Sequence, residues 1–270
     1  MKLLVSLLLS MYACMLLPVP AAYSQEIGDA VLMGEYPYSK NGRKKPIEWI
    51  IIDKDQDGTF LLLNSYGIDA KQYNAEAKAV TWKTCTLRKW LNGSFYETAF
   101  NDKEKKSIKT SYIKNYTGDD TKDKIFLLSI PEAKKYLSPG FNNSKKLRKY
   151  IYTVAKLTPY AFKRGGNRYR YEHSGVPLVS WWWLRSPGDS AEKAAFTGRD
   201  GDVYSDGFLV QLDYGAVRAA LRADLHNYVN ISNNEKRGLW IFAGGSGKIK
   251  SVSAFTLEIS SAAAAPAEMQ

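Results

Sequence analysis

The sequence predicts an α+β fold of short antiparallel strands with a few helices. Three observations lead there. Apolar, β-branched runs early in the chain are bracketed by an Asp- and Gly-rich segment. Helix-start signals cluster in the middle, where a capping residue is followed three positions later by Glu. From Val179 onward, short apolar stretches alternate with Asp-Gly and Tyr-Gly dipeptides. The 270 residues are 45% hydrophobic and 24% charged, which suits a chain with a substantial core and excludes a disordered or polytopic membrane protein.

The first element is a leader. Met1-Lys2, the apolar run from Leu3 to Val19, and the small residues Ala22 and Ser24 have the layout of a secretory signal peptide cleaved after Ser24. Pro18 and Pro20 break a run already short for a membrane span, so no transmembrane segment is expected after cleavage. Cys14 offers a lesser alternative, a lipoprotein cleaved before that cysteine, although of Ser10-Met11-Tyr12-Ala13 only Ala13 suits such a site. Either route predicts an extracytoplasmic location: periplasmic, cell-surface or secreted. The expected layout is a signal peptide over 1–24, a domain over 25–225, an extension over 226–260 packed on it as strands, and a disordered tail over 261–270. Cys85 is then the only mature cysteine if cleavage follows Ser24, and a buried small hydrophobe is the expected role.

The domain opens with a short strand, Gly28 to Tyr36. Ile47–Ile52 and Thr59–Leu63 bracket Asp53-Lys54-Asp55-Gln56-Asp57-Gly58 and predict a hairpin. The bracketed residues mimic a calcium loop, but Asn64 stands where a bidentate Glu belongs and both flanks are strands, so a turn is expected. Thr84 is read as the cap of a helix carrying Leu87, Trp90 and Leu91 on one face, and Asn101 with Glu104 as the capping box of a second. Lys122–Leu128 reads as one buried strand, followed by a helix that starts at Ser129-Ile130-Pro131-Glu132. The spacing of Leu147, Tyr150, Ile151, Val154 and Leu157 predicts an amphipathic helix over 145–157, ended by Thr158-Pro159. Lys163 to Ser174 is loop-like, with Arg and Tyr interleaved: a solvated basic loop, or a grip on an anionic or sugar ligand. Then come the Trp181–Trp183 strand, Ala194–Thr197, Val203-Tyr204 and Phe208–Leu212 around Asp200-Gly201 and Asp206-Gly207 turns, and Ala216–Leu221, together an antiparallel meander. Residues 238–243 and 251–259 add two candidate strands.

Charge is uneven. The formal net charge is +11, yet residues 83–170 hold 21 Lys/Arg against 7 Asp/Glu. In an exported chain this argues for an anionic glycan, lipid headgroup or envelope polymer rather than nucleic acid, beside the plainer reading of a solvated face.

Several blocks occur in a telling order: Gly28-Asp29-x-Val31, Pro46-Ile47-Glu48-Trp49, Leu87-Arg88-x-Trp90-Leu91-Asn92-x-x-Phe95, Asp123-Lys124-x-Phe126-Leu127-Leu128-Ser129, Trp182-Trp183-Leu184-Arg185-Ser186-Pro187-Gly188 and Gly215 to Leu221. Over about residues 27–225 they resemble a bacterial domain-of-unknown-function family with Trp-Trp-Leu-Arg-Ser-Pro-Gly and Gly-Val-Arg-Pro-Ala-Leu signatures. That family is similar to C-type-lectin-like proteins, including bacterial surface domains and the fold of the formylglycine-generating enzyme, so the resemblance implies such a fold. Here Ala216 separates Gly from Val, Ala219 replaces Pro, and about 45 residues follow the family's usual end. The resemblance supplies no catalytic residue. Its blocks read as architecture: Trp181 and Trp183 on one strand face, Trp182 and Leu184 on the other, and Arg185 and Arg218 buried against carboxylates such as Glu48.

Chemistry motifs are sparse. A lone Cys85 excludes the paired-cysteine copper chemistry of the formylglycine-generating oxidases. His173 and His226 lie in no recognisable nucleophile context, and Gly244-Gly245-Ser246-Gly247-Lys248 lacks the spacing and following hydroxyl of a phosphate loop. The tripeptides of calcium-dependent lectins are missing, so no metal or other cofactor is expected, although Asp200, Asp202 and Asp206 are oxygen donors. The expectation is an exported, non-enzymatic binding protein for carbohydrate, anionic envelope polymer or a surface protein. Its site residues would be Arg199, Asp200, Asp202, Tyr204, Asp206 and Tyr214. The competing readings are an envelope-glycan hydrolase with a carboxylate pair that no motif selects, and a purely structural envelope component.

Overall fold

The computed structural model describes residues 24–137, 155–166, 179–232 and 238–243. It is mixed α+β, rich in strands, with few helices and open sheets. Strands β1 (Ala30–Pro37), β2 (Lys44–Lys54) and β3 (Phe60–Asn64) run antiparallel to one another in order. The β2–β3 turn closes with Asp55 N donating to Thr59 O at 2.8 Å, and Gly58 takes φ +84°, which favours glycine there. Ile50–Ile52 and Leu61–Leu63 are all buried. Both faces of this hairpin are covered, which is why its apolar runs are continuous rather than alternating.

Strands β4 (Tyr66–Gly67) and β5 (Asp69–Ala70) lead to helix α1 (Thr86–Trp90), which continues across a kink at Gly93 into α2 (Tyr96–Ala99). The cap of α1 is Cys85, not Thr84: its buried Sγ accepts from Arg88 N at 3.4 Å, while the Thr84 hydroxyl turns back to Thr81 O. Burial pushes the Cys85 thiol up to about 12, so it is an inert packed group. Helix α3 (Asp102–Ser107) has the full Asn101/Glu104 capping box.

Strands β6 (Ile108–Lys109), β7 (Ser111–Ile113), β8 (Thr121–Asp123) and β9 (Ile125–Phe126) follow. The single strand expected over 122–128 is thus two, in different sheets. Asn92 Oδ1 accepts from both Lys124 N and Ile125 N, and this holds the chain in the bend between them. Helix α4 (Ile130–Leu137) starts at Ser129, whose Oγ accepts from Glu132 N while the Glu132 carboxylate accepts from Ser129 N.

Of the helix expected over 145–157, residues 145–154 lie outside the described ones. The remainder is strand β10 (Ala155–Leu157), parallel to β4 and antiparallel to β11 (Val179–Ser180), so sheet pairing overrides the helical spacing there. Thr158-Pro159 then starts a helix instead of ending one. Thr158 Oγ1 accepts from Ala161 N at 3.1 Å, and Pro159 occupies the first turn of α5 (Pro159–Lys163), where its missing N–H costs nothing. Of the loop expected over 163–174, Lys163 closes α5 and 164–166 form a turn; 167–174 lie outside the described residues.

The C-terminal strands are β12 (Trp182–Pro187), β13 (Lys193–Thr197), β14 (Val203–Leu209), β15 (Ala216–Val217), β16 (Ala220–Ala223), β17 (Tyr228–Asn230) and β18 (Leu239–Phe242). The expected meander holds only for β12–β13–β14. β15 returns parallel to β12, and β16 crosses to pair with β3, so Ala216–Leu221 is two strands separated by Arg218-Ala219. The 251–259 candidate lies outside the described residues.

The main sheet has the order β17-β18-β1-β2-β3-β16-β6, with β9 also on β16. A second has the order β14-β13-β12-β15-β5; β11-β10-β4 and β7-β8 are smaller. Trp49, Trp182, Trp183, Phe95 and Phe126 are the large buried aromatics of the core. Trp181 meets Trp183 at 4.6 Å between ring centroids, one strand face as expected, while Trp182 packs beneath the Arg218 guanidinium at 5.3 Å. Arg218 donates to Asn64 O, and burial lowers it to about 9. Arg185 meets Glu132, with a second bond at 3.0 Å, and not Glu48, whose carboxylate accepts from Ser65 Oγ.

Candidate functional site: an acid-rimmed aromatic face

The outer edge of the second sheet is β14, and its residues face solvent over most of their length. Across the β13–β14 pair Phe196 lies opposite Tyr204, and Ala194 opposite Phe208. Between those pairs β14 carries extra residues. The Asp206-Gly207 dipeptide is therefore a bulge inside one strand, not the turn expected from its sequence. Gly207 has φ +76°, and a Cβ there would stand 2.7 Å from Ala194 O, so the bulge requires glycine twice over.

This bulge brings Tyr204 and Phe208 to either end of one ring. Phe196 stacks on Phe208 at 3.9 Å and 7°, and on Tyr204 at 4.9 Å and 2°. Trp181 meets Phe196 and Phe208 edge-on at 5.4 and 5.0 Å, and Tyr214 meets Trp181 at 5.7 Å. Gly215 makes that packing tight: a Cβ there would lie 2.6 Å from the Trp181 ring. Tyr204 and Phe208 are each 37% exposed, and Leu209 is 44% exposed. Fixed rings thus reach the surface on a rigid strand.

Carboxylates sit beside them. In the turn from Gly198 to Asp202, Gly198 N donates to Asp202 O and Asp202 N to Asp200 Oδ1. The Tyr204 hydroxyl donates to Asp200 Oδ2 at 2.5 Å, and this bond holds the Asp200 carboxyl below its usual range. Tyr204 is pushed up by the same bond, then by the Asp200, Asp202 and Asp206 charges.

The expected site residues therefore divide. Asp200, Asp202, Tyr204 and Asp206 share one electrostatic neighbourhood, and Tyr214 reaches it through Trp181. Arg199 is half-buried in the same turn. Asp206 is exposed on the bulge, its backbone carbonyl accepting from Asp189 N. Sequence reasoning missed Phe196, Phe208 and Trp181. Their signal, aromatic residues on paired strands, became readable only once the bulge set the register.

Elsewhere, a small hollow between β1, β2 and β4 is lined by Tyr36, Tyr38, Lys45, Ile47, Glu48 and Tyr66. A hollow beside the β2–β3 turn holds two carboxylates, Asp57 and Asp224. Bonds from Thr59 lower Asp57; at Asp224 burial raises the carboxyl, but His226 and Lys109 outweigh it and leave it low. Among the described residues no group of three or more His, Cys, Asp or Glu is placed to hold a metal ion, and no helix is long and apolar enough to cross a membrane.

Fold and face together define a strand-rich α+β protein with a fixed aromatic ladder on a sheet edge. Residues 57–224 match the sequence model of the family described as Domain of unknown function (DUF6273), and the chain belongs to that family. No curated protein and no solved structure matches it.

Proposed function

We propose that this is an exported, non-enzymatic binding protein of C-type-lectin-like type, and that it takes carbohydrate on the face formed by Arg199, Asp200, Asp202, Tyr204, Asp206 and Tyr214 with Phe208. The observation that carries this reading is the pair of partly exposed rings, Tyr204 and Phe208, stacked on Phe196 beside three carboxylates. Rings hold the apolar side of a sugar, and carboxylates accept from its hydroxyls. A purely structural component has no need to leave such rings at the surface. The leader-like N-terminus and the ordered sequence blocks support the exported, lectin-like part.

The hydrolase reading is weaker on chemical grounds. Glycoside hydrolysis needs one carboxyl raised so that it can act as an acid. Asp57 and Asp224 share a hollow, but both are held low.

The test is a glycan array probed with the purified protein in calcium and in EDTA. Saturable binding is expected to fall by about ten-fold or more in Tyr204→Ala and Phe208→Ala, in line with loss of a stacking contact. Binding that both variants retain, or none to any sugar, would overturn the assignment.

A further inference from the structure

At the opposite edge of the same sheet, β5 places Asp69 where it is only 1% exposed. Its carboxylate collects three side chains, those of Tyr36 and Arg164 from distant parts of the chain and that of Lys71 from two positions on. The Tyr36 hydroxyl donates to Oδ2 at 2.7 Å, Arg164 Nε to Oδ1 at 3.4 Å, and Lys71 Nζ lies 3.6 Å from Oδ2. Lys71 is also held 4.5 Å over the Trp90 ring. Yet neither cation is buried with its partner: the side chains of Lys71 and Arg164 are 24% and 49% exposed. Both line an open hollow, together with Gln72, Thr86, Trp90 and Asp213.

Here one buried anion fixes two cations at one mouth, and Asp213 on the rim brings the four charges into balance. A singly charged carboxylate lying between the two cations suits that rim better than a phosphate dianion, whose second charge would face Asp213. Gln72, Thr86 and Asp213 supply the polar partners that a hydroxyl-rich body needs, and Trp90 supplies an apolar wall. Asp213 is followed directly by Tyr214, whose ring packs on Trp181 of the aromatic face. The loop between β14 and β15 thus joins the two places.

We propose that this hollow is a sugar-acid site, in which Lys71 and Arg164, oriented by Asp69, hold the carboxylate of a uronic-acid unit while Gln72, Thr86 and Asp213 meet its hydroxyls. The inference rests on the carbohydrate reading above and extends it from neutral to acidic glycans.

The experiment compares a galacturonate tetramer with its methyl ester, the same sugar without the charge, by titration calorimetry on the purified protein. The acid form is expected to bind about ten-fold tighter at low salt, and the preference to shrink as salt rises. Lys71→Gln and Arg164→Gln should each abolish most of the preference; both side chains are partly exposed, so a thermal melt is expected to show the variants folded. Tyr204→Ala should weaken both forms alike. Equal affinity for the two forms, a preference that survives both substitutions, or a galactose 6-phosphate bound as tightly as the acid would overturn the site. If neutral sugars still bind through the aromatic face, only the hollow's assignment falls; if no sugar binds, both readings fall.

Discussion

Asp53 ends the buried part of β2 and ties the hairpin to α4: its Oδ2 accepts from Tyr136 at 2.6 Å and from Lys135 at 3.1 Å. Burial raises this carboxyl, but the two donors outweigh burial and hold it below its usual range. A depressed folded-state pKa stabilises the fold above the unfolded value, about 3.9, and that contribution is lost as pH falls through the folded value. Asp53→Asn should therefore be less stable than the natural chain at pH 7, and the gap should narrow below about pH 4. Urea unfolding across that range measures it; a gap constant down to pH 2.5 would remove Asp53 from the acid response. Single residues were legible to different degrees. Burial of Cys85, Arg185 and Arg218 followed from residue type and the cost of exposure or of an unpaired charge. The partner of Arg185 did not, because Glu132 meets Arg185 only through the packing of α4 on β12.

Elements whose signal is local were readable: the β2–β3 hairpin, the Asn101 capping box and the start of α4 each rest on residues within a few positions. Those decided by pairing were not. Ala155–Leu157 has helical spacing but joins β4 across the fold, and Asp206-Gly207 has turn chemistry but bulges within β14. The aromatic face depends on that bulge, so Gly207→Ala tests it. A methyl there meets Ala194 O and forces a positive φ on a residue with a Cβ. The expected cost is about 1–3 kcal/mol in thermal or urea unfolding, with a larger loss of sugar binding than the stability change explains. Unchanged stability would mean that the bulge relaxes without its glycine.

At the scale of the whole molecule, the family match begins in the β2–β3 turn and ends just after β16. The β17-β18-β1-β2 half of the main sheet therefore lies almost entirely outside it. That half is nonetheless tightly joined. β18 runs parallel to β1, Gly238 N and Trp240 Nε1 both donate to Asp29, and Tyr228 and Trp240 are each 3% exposed. A chain ending at Leu225 would lose both aromatics and bare the outer edge of β1. It should be less stable by roughly 3–6 kcal/mol, from two buried aromatic side chains, and should scatter light on concentration. A urea midpoint equal to that of the full chain would show β18 to be ornamental. The strand over 238–243 was legible in the sequence, but its partner β1 was not, since parallel partners far apart leave no spacing pattern along the chain.

The same pairing also sets an order of events. Asp29 and Gly238 are separated by 209 positions, and the chain is made from its N-terminal end. β1 and β2 can zip together early, but the neighbour that covers β1 emerges only 209 positions after Asp29. Closing so long a loop is slow and entropically costly compared with closing a hairpin. For that interval the nascent domain keeps a bare strand edge, the surface that chaperones guard and that neighbouring chains can capture. β18 thus acts as a latch, and its arrival marks the moment when the main sheet no longer offers that edge.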